Sequence, residues 1–394
     1  MNKPQKAGRL APIAALCALA SAAAFAEPGV EDSKILLGGS NAMTGAVAAV
    51  CAPATYGAKA WFDKVNRDGG VQGRKIDYNV LDDAFSAQRA VANARRLVQQ
   101  DNVFAIFGGC ASPTSAAILQ YLGGQPEVPY LFPWAGMTEL TEPTKKNVFA
   151  LLPNYVFQVN AMLPFSIARA NPKPKTAGIL MMNVPGAEDM RKATREVFAA
   201  NGITMVYDEL FEVNIPDYTP YILQLKAKNP DIVLFGDSAA GAARLFLTMK
   251  RQEWRPKSAF GVATLTAEQF LDPVGDYADG WLSAAGMVSP PSAPESKDCT
   301  DALKVSYPDQ KPNHFTMFGC LAAKIGVEAI NRAGRNLTRV GMINALEQMR
   351  NFETRISGPI SFSPTDHMGT AAVIPFGVKN GQFTMLGAPL KPTK

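Results

Sequence analysis

The feature that most restricts the fold is a strand–helix alternation that runs through the chain twice. The apolar runs of strand length lie at residues 34–39, 76–81, 103–108 and 129–132 in the first series, and at 176–182, 203–209 and 231–236 in the second. Strands that alternate with helical segments predict parallel sheets covered by helices on both faces. We therefore predict an α/β protein with two similar lobes.

The helices between these strands are predicted from apolar residues that recur at helical spacing. They lie at residues 54–70, 86–100, 188–201, 218–229 and 239–252. Two later helices are predicted at 315–333 and 338–350, and a β-rich tail with a hairpin turn at Asn380-Gly381 follows them. Helices followed by strands this late indicate that the chain crosses between the lobes more than once.

The first 26 residues have the pattern of a cleaved Sec signal. Basic residues precede an alanine-rich apolar run at 10–25, and Ala24-Phe25-Ala26 has the small-x-small form of a cleavage site. We expect cleavage after Ala26 and a periplasmic location. The remaining chain has 36 basic and 34 acidic residues, a balance that gives no reason to expect a nucleic-acid or membrane-surface partner.

Four cysteines remain after the signal, and an even number in an oxidising compartment favours disulfides. Sequence proximity favours Cys299–Cys320, which leaves Cys51–Cys110. Cys110 lies in 106-IFGGCASPTSAA-117, directly behind an apolar run, where a nucleophile could also sit. A nucleophilic cysteine needs a nearby base, and the chain has only two histidines, both late in the sequence. This argues against an enzyme with a Cys110 nucleophile, and an inert thiol or a disulfide in a loop that holds a ligand stays open. The sequence has no Walker-type loop, no zinc-like Cys/His spacing and no dinucleotide fingerprint, so we expect no cofactor and no metal.

Several segments, in their order and spacing, resemble one known family. They are 42-AMTGAVA-48, 57–77, 82-DD-83, 86–100, 103–117, 133-PWAGMTELT-141, 332–349 and 358-GPISFSPTDHMG-369. The chain resembles the periplasmic solute-binding proteins of ABC importers of the Leu/Ile/Val type. The resemblance implies two Rossmann-like lobes joined by three crossovers, with the ligand in the cleft between them. The implied bounds are 27–150 with 285–356 for lobe 1, and 151–284 with 357–394 for lobe 2.

In lobe 1, the resemblance places the ligand at the loops that follow the third and fourth strands. After the third strand, a helix begins where Ser112 and Thr114 offer hydroxyls and where N–H groups such as that of Ala111 are available. A helix N-terminus presents unpaired donors that suit a carboxylate. The alternative is that Ser112 only caps the helix.

After the fourth strand, Trp134 occupies a position that lines the ligand cleft in the family. It could stack on a planar or apolar ligand, or only fill space at the cleft mouth. The backbone groups of Ala135 and Gly136 should also face the ligand. Two further candidates, Tyr155 and Asn41, could contact the ligand, but they could equally serve hinge packing and turn formation.

Lobe 2 departs from the pattern of the amino-acid binders, which carry a tyrosine and an acid where this chain has small residues such as Ala187 and Thr264. An ammonium group buried without an anionic partner would be costly. Asp237 is the only nearby carboxylate that could supply one, although it could instead cap the next helix. We expect a small carboxylate with an apolar or aromatic body, and a branched-chain or other hydrophobic amino acid is the alternative.

The family also bears on the cysteines, because some members pair a cysteine at the position of Cys110 with one at the position of Phe85. Here Cys51, in the neighbouring loop, could replace that partner. The resemblance implies delivery of the ligand to an inner-membrane ABC permease by a receptor that we expect to be monomeric. An extracytoplasmic ligand sensor is a second alternative.

Overall fold

The computed structural model describes residues 27–213 and 215–392. The predicted signal, residues 1–26, lies outside the described residues. The described chain forms two sheets, each flanked by helices, which confirms the predicted two-lobed α/β fold. In the following text, a lobe is one sheet together with the helices that pack on it.

The first sheet has five parallel strands in the order β2-β1-β3-β4-β5. The strands are β1 (Lys34–Asn41), β2 (Lys75–Asp82), β3 (Ala105–Phe107), β4 (Tyr130–Leu131) and β5 (Val148–Phe149). β3 begins two residues later than predicted and ends one residue earlier, because Gly108 and Gly109 follow it with φ of 76° and 111°. Such angles turn the chain out of the extended conformation.

The second sheet has seven strands in the order β12-β11-β10-β9-β8-β6-β7. The strands are β6 (Thr176–Met182), β7 (Thr204–Phe211), β8 (Ile232–Gly236), β9 (Ser258–Gly261), β10 (Leu282–Gly286), β11 (Ile374–Lys379) and β12 (Gln382–Met385). β11 pairs antiparallel with both β10 and β12, and the other neighbouring pairs are parallel. The predicted hairpin is confirmed, because Asn380 and Gly381, at φ of 53° and 67°, connect β11 to β12.

Six of the seven helices with predicted ranges follow them to within three residues at each end. The helices are α1 (Ala48–Arg67), α2 (Ala87–Gln99), α3 (Ser112–Leu122), α4 (Tyr155–Arg169), α5 (Ala187–Ala200), α6 (Thr219–Lys228), α7 (Ala239–Arg251), α8 (Glu268–Val274), α9 (Lys297–Ser306), α10 (His314–Ala333) and α11 (Arg339–Glu347). The predicted cap of α2 is confirmed, since Ser86 Oγ accepts a hydrogen bond from the N–H of Arg89.

The prediction for α1 was wrong at its start, because the helix begins six residues earlier and includes Pro53. Tight packing against α10 accompanies this longer helix. A Cβ at Gly57 would lie 2.0 Å from the carbonyl oxygen of Thr316, and a Cβ at Gly319 would lie 1.9 Å from that of Ala54. A glycine on each helix thus allows the two backbones to approach closely.

The chain passes between the lobes three times. It leaves the first sheet after β5 and enters the second through α4 and β6. After β10 it returns to the first lobe, where α10 packs on α1, and it then supplies β11 and β12 to the second sheet. The residue bounds given above for the lobes remain a prediction that this path supports.

Candidate functional site

A cavity lies where loops at the carboxyl ends of the strands of both sheets meet, as expected for open α/β sheets. Its empty volume is about 720 Å³, including the space that opens to solvent. The lining residues from the first lobe are Val47, Val50, Cys51, Phe85, Cys110, Ala111, Ser112, Pro113 and Trp134. Tyr155, at the start of α4, also lines it, together with Met182, Val184, Ala187, Met190, Gly236, Asp237, Ser238, Val262 and Thr264.

On the first-lobe side, the start of α3 forms part of the wall. Ala111 precedes the helix with φ of 76°, a conformation that non-glycine residues rarely adopt. The N–H of Ser115 donates to the carbonyl of Ala111 over 3.0 Å, whereas Pro113 has no N–H. The first turn therefore leaves the N–H groups of Ser112 and Thr114 without an intrahelical acceptor. These donors, with the positive end of the helix dipole, suit a negatively charged group.

A pair of hydroxyls lies beside this helix start. Ser112 Oγ and the Tyr155 hydroxyl are 3.2 Å apart, within hydrogen-bonding distance. The N–H of Tyr155 donates to the carbonyl of Gly136 over 2.7 Å, which holds the start of α4 against the first lobe. Burial raises the pKa of Tyr155, so its phenol stays protonated and can donate a hydrogen bond to a ligand oxygen.

Trp134 is on the cavity wall, but its ring is also packed deeply into the first lobe. Its side chain is only 4% exposed. Edge-to-face contacts join it to Phe315 and Phe318, with ring centroids 5.1 and 4.4 Å apart. The backbone is equally fixed, since the N–H of Trp134 donates to the carbonyl of Gly109 over 2.7 Å. Trp134 is therefore a rigid wall of the cavity and a packing residue at the same time.

The predicted disulfides are both present. Cys51 and Cys110 form one, with Cα atoms 5.6 Å apart, and Cys299 and Cys320 form the other, at 5.9 Å. The first joins α1 to the loop before α3, and both of its residues line the cavity. With its sulfur in a disulfide, Cys110 has no thiol that could act as a nucleophile.

On the second-lobe side, Asp237 is the acidic residue of the wall. It follows β8, and its side chain is buried. Its Oδ2 accepts from the Tyr218 hydroxyl over 2.6 Å, and its Oδ1 accepts from the N–H of Ser238, also over 2.6 Å. Burial raises the pKa of Asp237 to about 6, against the opposing effects of these two bonds and of the Arg244 charge. Asp237 does not cap α7, because that N-cap is Ser238.

The rest of the second-lobe wall is mainly apolar, with one unpaired hydroxyl. The apolar members are Met182, Val184, Ala187, Met190 and Val262. Thr264 Oγ1 is buried and has no hydrogen-bond partner among the described residues. A buried polar atom without a partner is costly, so a ligand donor that reached it would recover that cost. Among the described residues that line the cavity, none is lysine, arginine or histidine.

Four of the predicted site residues do not line the cavity, and two of them have side chains engaged elsewhere. Thr114 Oγ1 donates to the carbonyl of Cys110, so its hydroxyl is turned back to the backbone. The Asn41 amide donates to Thr55 Oγ1 over 3.1 Å and accepts from the N–H of Gly109 over 3.0 Å. Asn41 therefore fixes the turn, which was the alternative considered above.

Ala135 and Gly136, the other two, also lie away from the cavity wall. A Cβ at Gly136 would lie 2.4 Å from Cε1 of Tyr155, so the ring of Tyr155 covers this backbone. The prediction that the backbone of residues 135 and 136 faces the ligand is corrected accordingly. Six predicted residues do line the cavity, namely Ala111, Ser112, Trp134, Tyr155, Asp237 and Thr264.

Sequence reasoning did not propose the apolar residues that form most of the wall. Val47 and Val50 lie just before Cys51, and Met190 is one turn into α5. A signal was available, because each lies within one helical turn of a strand-to-helix loop at the carboxyl edge of a sheet. Such positions are expected to face the cleft.

Across residues 27–213 and 215–392, no group of three or more His, Cys, Asp or Glu side chains could hold a metal ion. None of the helices in the same residues is long and apolar enough to cross a membrane.

Comparison with known proteins agrees with this architecture. The family described as "Periplasmic binding protein" matches residues 34–382. Leu/Ile/Val-binding protein homolog 7 of Brucella abortus (strain 2308) is 24% identical over 333 residues, which cover 80% of this chain and 82% of that protein.

Two solved structures have the same fold. A fatty acid ABC transporter substrate-binding protein from Thermomonospora curvata superposes with a TM-score of 0.82 at 22% identity, covering 93% of this chain and 94% of that one. The substrate-binding protein LivJ of Streptococcus pneumoniae, in complex with isoleucine, superposes with a TM-score of 0.76 at 20% identity, covering 91% of this chain and 100% of that one.

These matches confirm the family resemblance given by the sequence segments. They also agree with the expectation of a binding protein, because the family consists of non-enzymatic transporter binding proteins. The chain belongs to the periplasmic binding protein family, as a solute-binding protein of an ABC transporter.

Proposed function

We propose that this solute-binding protein captures a small organic carboxylate with an apolar or aromatic body. The observation that carries the proposal is the composition of the cavity wall. It combines hydroxyls and helix-start N–H groups on one side with an otherwise apolar lining. It offers one acid and, among the described lining residues, no basic side chain.

The carboxylate would be held at the start of α3. The hydroxyls of Ser112 and Tyr155 are the nearest side-chain donors, and the N–H groups of the first turn supply the rest. Hydrogen bonds to a charged group contribute about 1.5–3 kcal/mol each, so three such donors suffice for a desolvated carboxylate without an arginine or lysine.

The apolar body would lie against Met182, Val184, Met190 and Val262. Methionine side chains are flexible and polarisable, so they adapt to straight, branched or aromatic bodies. The Thermomonospora curvata neighbour is named for fatty acids and the Streptococcus pneumoniae neighbour was solved with isoleucine. Both ligands combine a carboxylate with an apolar body, and they differ in the ammonium group.

Asp237 favours a second candidate, a branched-chain or other hydrophobic amino acid. An ammonium group beside Asp237 would lower the pKa of its carboxyl and form a charge-assisted hydrogen bond. Against this, both oxygens of Asp237 already accept short hydrogen bonds. Burial raises its pKa to about 6, so the carboxyl takes up a proton, and stops repelling an anionic ligand, only as the pH falls below that value.

The decisive experiment uses pairs of ligands that differ only in the ammonium group. The mature protein is unfolded and refolded to remove carried-over ligand, and is then tested by thermal shift and calorimetry. The pairs are 4-methylpentanoate with leucine and 3-phenylpropanoate with phenylalanine. A ligand at 100 times its Kd stabilises by about 2.7 kcal/mol. Stabilisation by the acids alone supports the proposal, and stabilisation by the amino acids alone replaces it with the second candidate.

The Asp237→Asn variant separates the two candidates by the sign of its effect. Removal of the negative charge should leave or improve the affinity for the acids, whereas it should weaken amino-acid binding by about tenfold or more. Ser112→Ala serves as the control at the other end of the cavity. It should weaken acids and amino acids alike, because both carry the carboxylate.

Transport would follow from closure of the lobes. A ligand that contacts both walls binds the closed form more tightly and shifts the hinge equilibrium towards it. In our proposal, the closed monomer then docks on an inner-membrane ABC permease. Export would use residues 1–26, and N-terminal sequencing of the periplasmic protein, together with light scattering, would test cleavage after Ala26 and the monomeric state.

A further inference from the structure

Phe85 lines the cavity with an unusual backbone conformation. It lies in the turn between β2 and α2, and its φ is 65°, next to Ala84 at 48°. Left-handed conformations are rare for bulky residues, which makes Phe85 a true outlier. Strained residues of this kind persist only where the surrounding structure holds them, and they concentrate at functional sites.

Two carboxylates hold the strained turn. Asp83 is fully buried, and its Oδ1 accepts from the N–H of Phe85 over 2.9 Å while its Oδ2 accepts from Ser40 Oγ over 2.9 Å. Asp82 Oδ1 accepts from the N–H groups of Ala84 and Met43, each over 2.9 Å. The turn is thus tied both to the end of β1 and to the loop that follows it, so the backbone from which the Phe85 ring projects is held by the protein itself.

Phe85 packs on the core less completely than another phenylalanine in a similar backbone conformation. Phe132 is a useful comparison, because it also has a positive φ, 59°. Phe132 is 1% exposed, and its ring packs against Phe107 and Phe362 with centroids 5.8 and 6.3 Å apart. Its burial therefore compensates the strain. Phe85 is only partly buried and contributes its side chain to the cavity wall.

We infer that Phe85 is a specificity-determining residue, held in a strained turn so that its ring covers the apolar body of the ligand. The inference rests on the proposed function and deepens it. The ring shares the first-lobe wall with Val47, Val50 and the Cys51–Cys110 disulfide. This part of the wall offers a ligand no polar side chain, so it selects against bodies that carry polar substituents.

The test compares three variants. Phe85→Asn removes the ring and keeps a residue that tolerates a positive φ. Phe85→Leu keeps an apolar side chain, and Phe132→Asn is the matched control at the buried position. The probe is whichever of 4-methylpentanoate, leucine, 3-phenylpropanoate and phenylalanine binds the wild type. Calorimetry gives the affinity, and denaturant unfolding of the ligand-free protein gives the stability.

Phe85→Asn should weaken the probe at least about tenfold while the unfolding midpoint stays unchanged or rises, and Phe85→Leu should fall between it and the wild type. Phe132→Asn should lower the midpoint. Unchanged affinity in Phe85→Asn overturns the inference, and so does a loss of stability comparable with that of Phe132→Asn. If the wild type binds none of the four probes, the proposed function itself fails, and this inference fails with it.

Discussion

Removal of the Cys51–Cys110 disulfide should affect both stability and binding, and the second disulfide provides a matched control. The bridge closes a loop with a sequence separation of 59, and Cys299–Cys320 closes one of 21. From the loop-closure entropy of the unfolded chain, the two bridges contribute about 4 and about 3 kcal/mol respectively. All four cysteines are at most 2% exposed, so conversion to alanine costs each pair a similar amount of packing.

The two bridges differ in their relation to the cavity. Cys51 and Cys110 line it, whereas Cys299 and Cys320 join α9 to α10 and do not. The double variant Cys51→Ala/Cys110→Ala should therefore lose about 4 kcal/mol of unfolding free energy and bind the ligand about tenfold more weakly. The double variant Cys299→Ala/Cys320→Ala should lose about 3 kcal/mol and retain its affinity.

Urea unfolding and calorimetry on both variants provide the check. If the two variants keep the same affinity, the first bridge does not organise the site, and our placement of the ligand between the first-lobe loops is refuted. If neither variant is less stable than the wild type, the entropic reasoning itself is wrong for this chain.

Three further outcomes are expected. Trp134→Ala should lower the unfolding free energy by about 3–5 kcal/mol, because the ring is buried, and should weaken ligand binding about tenfold. Trp134→Phe, measured in parallel, should recover most of the lost stability and most of the lost affinity. Because burial raises the Asp237 pKa from 3.8 to about 6, the folded state binds more protons than the unfolded state between these values, and stability falls as the pH rises through this window. The fall amounts to at most about 3 kcal/mol of unfolding free energy, and Asp237→Asn should abolish it. If the unfolding free energies of wild type and variant change with pH in the same way from pH 4 to 7, the raised pKa does not belong to Asp237. Gly186→Ala should weaken binding, because a Cβ there would lie 2.9 Å from Cα of Met137 in the opposite lobe. Gly202 has a similar positive φ, and a Cβ there would have nothing within 4 Å, so Gly202→Ala controls for backbone strain alone. If the two variants bind the ligand with equal affinity, the contact between Gly186 and Met137 does not affect closure of the lobes.

Part of this protein was predictable because the responsible signals are local. The spacing of apolar residues located α2, α5, α6 and α7 closely, since one helical face must be buried whatever the neighbouring elements are. The Asn380-Gly381 turn was predictable for the same reason, because its positive φ values need residues of this type. The disulfides followed from the even number of cysteines and from their proximity in the sequence.

The site was predictable in position but only partly in detail. Its place at the carboxyl edges of the strands follows from the connectivity of parallel sheets, so Ser112, Trp134 and Asp237 could be proposed, and all three line the cavity. Asn41 and Thr114 were candidates for the same reason, yet their side chains hydrogen-bond to groups within the protein. Sequence position indicates which loop carries a polar group, but not which of several acceptors that group reaches.

The sequence by itself thus determined the fold class, the family and the loops that carry the cavity, because these depend on periodicity, turn chemistry and the order of segments. Only the tertiary structure decided which side chains face the cavity, how far Asp237 is buried and that Phe85 is held in a strained turn. These properties depend on contacts between elements distant in sequence. Such contacts fix distances and burial that no local pattern encodes.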